Sequence, residues 1–112
     1  MQGDQITFGD FQKVDIRIGT ILEAREFPEA RTPAYQLLID FGALGTKKSS
    51  AQITALYAME DLVGKRVVAI VNFPPKQIAK FSSECLVLGM QNGKEVVLLQ
   101  AQKHIMNGTP VR

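Results

Sequence analysis

The sequence contains very few of the residues that carry covalent or metal chemistry, with one cysteine and one histidine among 112 residues. A lone Cys85 cannot form an internal disulfide, so nothing here requires an oxidising compartment. A zinc site normally takes four cysteine or histidine ligands, or three protein ligands when catalytic, and Cys85 and His104 supply two. Sequence distance does not exclude a nucleophilic pair of these two residues, but no third residue points to one. We therefore expect a binding protein with no catalytic residues, metal or cofactor.

Long apolar runs and nucleotide-binding loops are also missing. No stretch approaches the ~20 apolar residues that a transmembrane helix needs, and no glycine-rich phosphate loop has the required spacing. The first ten residues carry two acids and no base, unlike a secretory signal. These features predict a cytoplasmic protein that does not insert into a membrane.

Charge is distributed unevenly along the chain, although the formal net charge is only +2. Residues 1–46 carry seven acids and four bases, a charge of −3, and residues 47–112 carry four acids and nine bases, a charge of +5. Such asymmetry is compatible with a polyanionic or acidic partner. Random scatter produces it too.

Apolar residues alternate with polar ones in several segments, which is the pattern of half-buried strands. Val14, Ile16 and Ile18 form one such series, and Gly19 is the expected site of a β-bulge or a sharp bend. A capping box at Thr7 and Asp10 predicts a short helix over 8–13 before it. Further strands are expected over 35–41, 66–72, 86–90 and 95–99, with a loop over 76–83. The pair Asn92-Gly93 predicts a type I′ hairpin turn between the last two strands.

The sequence ALYAMEDLVGK over 55–65 predicts one or two helical turns between the third strand, over 47–54, and the fourth, over 66–72. Together with five or more strands and a bend in a long first strand, this helix favours a small closed barrel. We expect one all-β domain over 1–112, a five-stranded OB-fold barrel with short helices and with N- and C-terminal extensions. Ligands of this fold bind on the face of strands two and three and its bordering loops.

One segment stands apart from the apolar strands, the sequence KKSSAQIT over 47–54. On a strand, Lys47, Ser49, Ala51 and Ile53 point one way, and the alternate residues, none of them apolar, point the other. The second face is therefore expected to meet water and to offer bonds to phosphate oxygens or peptide carbonyls.

Two long stretches resemble a known family. VDIRIGTILEAREFPEARTPAYQLLIDFG and ALYAMEDLVGKRVVAIVNFPPKQIAKFSSECLVLG are similar to the two halves of the tRNA-binding domain found at the ends of some methionyl-tRNA synthetases and in free-standing tRNA-binding proteins. FPEARTPAYQLLIDFG, KKSSAQIT, VNFPPKQI and NGTPVR resemble the CsaA-type subgroup of secretion chaperones. The resemblance runs from about residue 7 to residue 112.

This resemblance implies an OB-fold whose terminal segments form a homodimer. Its tRNA-binding members use the strand that corresponds to 47–53 and the loop that corresponds to 72–83. The chain departs from their pattern at Ser50-Ala51-Gln52, at Lys80 and at Cys85-Leu86, which puts close approach of an RNA backbone in doubt. CsaA-type members imply binding of unfolded or precursor polypeptides and of the export motor SecA.

Two hypotheses use the same face. In the first, Lys47, Lys48, Lys76 and Lys80 contact phosphates, and Phe73 or Phe81 provides a stacking surface worth about 1–3 kcal/mol per base. In the second, an extended polypeptide lies beside the polar strand, with its main chain bonded to Ser50, Gln52 and Asn72 and its side chains on the ledge Phe73-Pro74-Pro75. We favour the peptide-binding chaperone, with structure-specific tRNA binding as the alternative and an assembly role as a third option. The candidate binding residues are Lys47, Lys48, Ser49, Ser50, Gln52, Asn72, Phe73, Pro74, Pro75, Lys76, Lys80, Phe81 and Ser83.

Overall fold

The computed structural model describes residues 3–112, so the first two residues of the expected domain lie outside the described range. It contains one short α-helix, two 3₁₀ turns and nine strands, and no helix in this range is long and apolar enough to span a membrane. The helix α1 is Phe8–Gln12, and the strands are β1 Ile16–Glu26, β2 Tyr35–Asp40, β3 Thr46–Ala51, β4 Arg66–Ile70, β5 Lys76–Ile78, β6 Phe81–Ser83, β7 Leu86–Val87, β8 Gly89–Asn92 and β9 Glu95–Leu98.

Five of the strands form a single antiparallel sheet in the order β3-β2-β1-β4-β7. The two edges of this sheet meet, because the backbone N–H of Glu84, just before β7, donates to the carbonyl of Lys48 on β3 at 2.7 Å. The sheet is thus a nearly closed five-stranded barrel, and the expected all-β OB-fold class is confirmed.

The long first strand bends at a different place from the one we expected. Pairing between β1 and β2 shifts register between Ile21 and Glu23, so the bulge lies there and the prediction of a bulge at Gly19 was wrong. Gly19 is needed for a close approach instead. A Cβ at that position would lie 2.8 Å from side-chain atoms of both Ile39 and Phe41.

The bulge and this close approach decide which side of β1 faces the core. Ile21 is completely buried among Leu37, Ile39 and Phe41 of the second strand segment. Ile18 has the opposite orientation and is buried outside this cluster, where its backbone bonds to residues 108 and 109 of the C-terminal segment. Residues of β1 therefore alternate between two faces as expected, but the apolar series that contains Ile18 lies on the outer face of the strand and not on the face toward the core.

The helix and the hairpins follow local sequence signals. The capping box is confirmed, with the Thr7 hydroxyl accepting from the Asp10 N–H at 3.0 Å and the Asp10 carboxylate accepting from the Thr7 N–H at 3.1 Å.

The predicted hairpin between β8 and β9 is present, but its two-residue loop is Gly93-Lys94. Only Gly93 of that pair has a positive φ, which fits type II′ and not type I′.

The segment over 76–83 was expected to be a loop and is a hairpin instead. Strands β5 and β6 pair through Lys76 with Ser83 and through Ile78 with Phe81. Its turn includes Ala79 at a φ of 53°, the one non-glycine residue with a positive φ in the described chain. The prolines that precede the hairpin end β4 but do not prevent pairing after them.

Candidate functional site

Strand β3 has the two-faced character that its sequence predicted. Ser49, Ala51 and Ile53 are buried, whereas Lys48 and Ser50 are half-buried on the outside and Gln52 is exposed. Lys47 shares the inward parity of Ser49. The two adjacent lysines therefore leave the strand on opposite sides.

Ser49 belongs to the interior and not to a contact surface. It has no exposed area, and its hydroxyl donates to the carbonyl of Cys85 at 2.8 Å. Burial raises the pKa of the Cys85 thiol to about 11, which keeps it protonated and unreactive near neutral pH. The assignment of Ser49 to the binding set is thus corrected: its polarity satisfies a buried carbonyl at the barrel closure.

The outer edge of β3 is already occupied. The backbone N–H of Lys48 donates to Oε1 of Glu84 at 2.8 Å, and the N–H of Ser50 donates to Oγ of Ser83 at 3.0 Å. An extended polypeptide bonded to the main chain along this part of β3 would have to displace both bonds. This edge of β3 is therefore not free to pair with the main chain of a polypeptide, and bonds from a polypeptide to the side chains of Ser50 and Gln52 stay a prediction. Ser83 links the hairpin to the barrel.

Asn72 is also committed to the fold. Its side-chain oxygen accepts from the N–H of Asp15 at 3.0 Å, and its amide donates to the carbonyl of Lys13 at 2.7 Å. These bonds fasten the segment between α1 and β1 to the end of β4. Asn72 lines a cleft with Lys13 and Asp15, and not the cleft that Lys48 lines.

The outer face of β1, β2 and β3 forms a cleft of about 290 Å³ that is bounded by the hairpin. We call this the outer groove. The registers of the two strand pairs place Leu38 opposite both Lys48 and Glu23, and place Gln36 opposite both Ser50 and Arg25. Besides the inward-pointing Leu37, the side chains that line the outer groove are Glu23, Arg25, Gln36, Leu38, Lys48 and Phe81.

Phe81 forms the aromatic wall of the outer groove. Its ring lies 5.3 Å from the ring of Phe27, centroid to centroid, at an angle of 60°. The Lys48 Nζ lies 5.3 Å from the Phe81 centroid, within the range of a cation–π interaction. The wall thus joins an apolar surface to a fixed cation.

The hairpin places further cations along this wall. Lys76 shares its strand face with Ile78, whose partner across the hairpin is Phe81. Lys80 lies in the turn, where it lines a second cleft of about 470 Å³ together with Glu29, Gln36 and Phe81. Gln36 and Phe81 line both clefts, so the two are neighbours with these side chains between them.

The outer groove carries both signs of charge. Arg25 donates to Glu23 at 2.9 Å, in an ion pair whose two side chains are more than half exposed. Lys48 has no such ion pair within residues 3–112. The site therefore combines an apolar floor and wall with one paired and one unpaired cation, which suits a ligand that is itself partly apolar.

Several residues of the outer groove were not among the predicted ones. Glu23, Arg25, Gln36 and Leu38 come from β1 and β2, whereas all the candidates came from β3 and the segment 72–83. The sequence did contain a signal for these residues. In the strand over 35–41, the face opposite the buried one contains the apolar Leu38 and is therefore only partly polar. An apolar residue on an outer strand face indicates a covered or ligand-binding surface.

The ledge Phe73-Pro74-Pro75 is exposed, with Phe73 at 53% of its full accessibility. It does not line the outer groove. The structure thus places Lys48 and Phe81 in the outer groove, Lys80 in the neighbouring cleft and Lys76 on the same hairpin face as Phe81, and leaves the ledge outside the outer groove.

The chain is similar to known proteins over nearly its whole length. Residues 16–110 match the family described as "Putative tRNA binding domain". The chain is 37% identical over 109 residues to a methionine–tRNA ligase of Nanoarchaeum equitans, covering 96% of this chain but only 14% of that enzyme's length.

Two solved structures match over nearly their whole length. The chaperone CsaA of Bacillus anthracis is 54% identical with a TM-score of 0.91, covering 97% of this chain and 100% of that one. The CsaA chaperone protein of Picrophilus torridus is 50% identical with the same TM-score, covering 96% and 100%. The chain therefore belongs to the tRNA-binding-domain family and, within it, to the CsaA type.

Proposed function

We propose that this protein is a chaperone that binds unfolded or precursor polypeptides in the outer groove, without catalysing a reaction. The observation that carries this proposal is the composition of the groove. Leu38 and Phe81 offer an apolar surface, and the flanking Arg25, Glu23 and Lys48 offer partners to polar groups of either charge. Such a surface accepts many sequences, which an unfolded client requires.

The proposed polypeptide crosses the outer face instead of extending the sheet. Since Glu84 and Ser83 occupy the edge of β3, binding has to come from side chains and from the hairpin wall. Phe81 is held by Phe27 and by Lys48, so covering it costs little conformational entropy.

Three further parts of the proposal come from the resemblance to secretion chaperones of the CsaA type: a cytoplasmic location, a role in protein export that includes binding to SecA, and a homodimer. The proposed dimer contact uses exposed apolar residues near the two ends of the chain. Ile6 and Phe8 near α1 and Met106 in the C-terminal segment are each at least 70% exposed, which is costly for apolar side chains in a lone protomer.

Structure-specific tRNA binding is the alternative function. It is supported by the family match and by the three lysines that border the Phe81 wall, Lys48, Lys76 and Lys80. A base stacked on Phe81 would place its phosphates near these cations. Lys47 leaves β3 on the other side and is not counted among them.

Fluorescence anisotropy across a salt series tests the two functions with labelled tRNA and a labelled unfolded precursor segment. Three phosphate contacts predict a log–log slope of about −2 for tRNA by the single-strand coefficient. Peptide binding that changes little with salt, while tRNA binding disappears at physiological ionic strength, is the expected result. Tight tRNA binding with that slope and no peptide signal would contradict the chaperone proposal and support the alternative.

The proposed homodimer is tested by sedimentation of Phe8→Glu. A buried charge at an apolar contact would make the dimer dissociate, while the exposed position leaves the barrel folded. Met90→Glu is the matched control, because Met90 is a similarly exposed apolar residue on β8. A Phe8→Glu protein that sediments like the unmodified protein, as a dimer, would refute this choice of surface.

A further inference from the structure

A separate cleft, away from the outer groove and from the cleft at Lys80, lies between the start of β4 and the segment over 100–104, with a volume of about 380 Å³. Ile18 of β1 forms part of its wall. The basic side chains that line this cleft are Lys65, Arg66, Lys103 and His104. We call this the basic cleft.

All the charge in the basic cleft has one sign. No aspartate or glutamate lines it, and none of its four basic side chains takes part in an ion pair within residues 3–112. Neutral hydrogen-bonding groups come from Gln100 and Gln102, which also line it. Concentrated positive charge without a counter-ion is unfavourable, so this arrangement favours an anion in the cleft.

Arg66 is held rigidly at the edge of the basic cleft. One Nη donates to Nδ1 of His104 at 2.9 Å, and the other contacts the carbonyl of Ile105 and Oδ1 of Asn107. Asn107 is fixed in turn by the hydroxyl of Thr20 at 2.9 Å. Because an arginine is pre-organised in this way, less entropy is lost when an anion binds beside it.

The hydrogen-bond capacity of Arg66 is not exhausted. Its Nε is buried and has no partner among the described residues. Because this Nε is buried, it is not available to an anion in the cleft. The donors that an anion can reach are those of the exposed Lys103 and His104. The bond from Arg66 to Nδ1 also means that a neutral His104 carries its proton on Nε2, which adds a donor.

We infer that the basic cleft binds a phosphate group. Lysine ammonium groups and arginine are the usual protein partners of phosphate, and the glutamine amides add neutral donors. The phosphate belongs either to a free nucleotide or to a nucleic-acid strand, and both present the same anionic oxygens. Lys65, Arg66 and Lys103 also account for part of the positive charge of residues 47–112 that the outer groove does not use.

This site is distinct from the outer groove. Ile18 and Glu23 lie on the outer side of the same strand, five residues apart, which corresponds to roughly 16 Å along β1. Binding in the basic cleft therefore does not depend on whether a polypeptide occupies the outer groove, and either proposal can fail alone.

The test uses the NMR signals of His104, which is unambiguous because the chain has one histidine. The full-length protein is titrated with inorganic phosphate, with adenosine monophosphate and with tRNA, at constant pH and against sodium chloride of equal ionic strength. We expect a saturable shift of the His104 ring signals with at least one phosphate compound and none with chloride. Saturation by the nucleotide alone identifies a small-molecule source, and saturation at lower concentrations of tRNA identifies a nucleic acid.

Variants separate a real site from general charge screening. Lys103→Ala should weaken the apparent phosphate affinity about three- to five-fold, the factor expected for one partly exposed charge pair. Lys65→Gln should do the same, and neither removes the bonds of Arg66 that hold the C-terminal segment. Lys94→Ala is the control, an exposed lysine in the β8–β9 turn, and should leave the affinity unchanged. Shifts that grow linearly without saturation, or equal losses in Lys103→Ala and Lys94→Ala, would overturn the inference.

Discussion

Replacing Phe81 by leucine would distinguish polypeptide from RNA in the outer groove. Leucine keeps an apolar side chain against Phe27 but removes the aromatic ring that faces Lys48. A base can stack on a ring and not on a leucine, and stacking contributes about 1–3 kcal/mol per base. Because Phe27 and Lys48 already contact part of the ring, we take the low end, about 1 kcal/mol, or roughly a five-fold loss of tRNA affinity. A polypeptide needs only apolar contact, so its affinity should change less than about two-fold.

Anisotropy titrations of the two labelled ligands measure both losses on the same protein preparation. Phe73→Leu is the matched control, an exposed phenylalanine outside the outer groove, and should affect neither ligand. A large loss of peptide affinity in Phe81→Leu with tRNA unaffected would refute the reasoning, since it would assign the aromatic ring to the wrong ligand. If Phe73→Leu alone weakened binding, the exposed ledge and not the outer groove would be the contact surface.

Three further perturbations test the fold, the thiol and the cations. Gly19→Ala places a Cβ 2.8 Å from core side chains and should lower the free energy of unfolding, measured in urea, by about 1–3 kcal/mol. The control Gly9→Ala in α1 should not lower it. Equal losses in the two variants would contradict the close-packing argument. The Cys85 thiol has a pKa of about 11, against 9.0 for the unperturbed group, so near pH 8 its alkylation should be about 100-fold slower in the folded than in the unfolded protein. The same shift in pKa gives a contribution to stability that is complete below the unfolded pKa and is lost as pH rises through about 11. Equal alkylation rates in the folded and unfolded protein would contradict this prediction. Lys80→Ala should reduce the steepness of the tRNA salt dependence by about 0.7 in log–log slope while Lys94→Ala leaves it unchanged, and an equal reduction in both would show that the charge acts without a specific contact.

Local sequence signals predicted the fold well wherever the neighbouring residues alone decide the structure. The capping box at Thr7 and the buried face over 35–41 needed only residues within one turn or one strand. The bulge in β1 could not be placed in this way. Gly19 looked like a bulge because glycine is common there, but its reason is the contact with Phe41, 22 positions along the chain.

The candidate site was predicted less completely, because polar residues on a strand have two different uses. Lys48 and Ser49 are neighbours in the sequence, yet one borders the outer groove and the other bonds to Cys85 inside the barrel. Asn72 matched the family pattern and is spent on fastening the segment before β1. Arg25 and Leu38 could be assigned to the site only after the register of β1, β2 and β3 was known.

The polarity of β3 is explained first by the closure of the barrel and only then by binding. Both long edges of this strand have partners, β2 on one side and the segment over 83–85 on the other. The second side is held by a carboxylate and a hydroxyl that accept from the backbone, since β7 is too short to continue a regular ladder there. A ligand that paired with that edge would have to displace these bonds, whereas the outer face beside Phe81 forms a cleft. The hairpin over 76–83, which the sequence alone suggested was a loop, therefore determines the shape of the outer groove, and variants in it are the most direct test of what the protein binds.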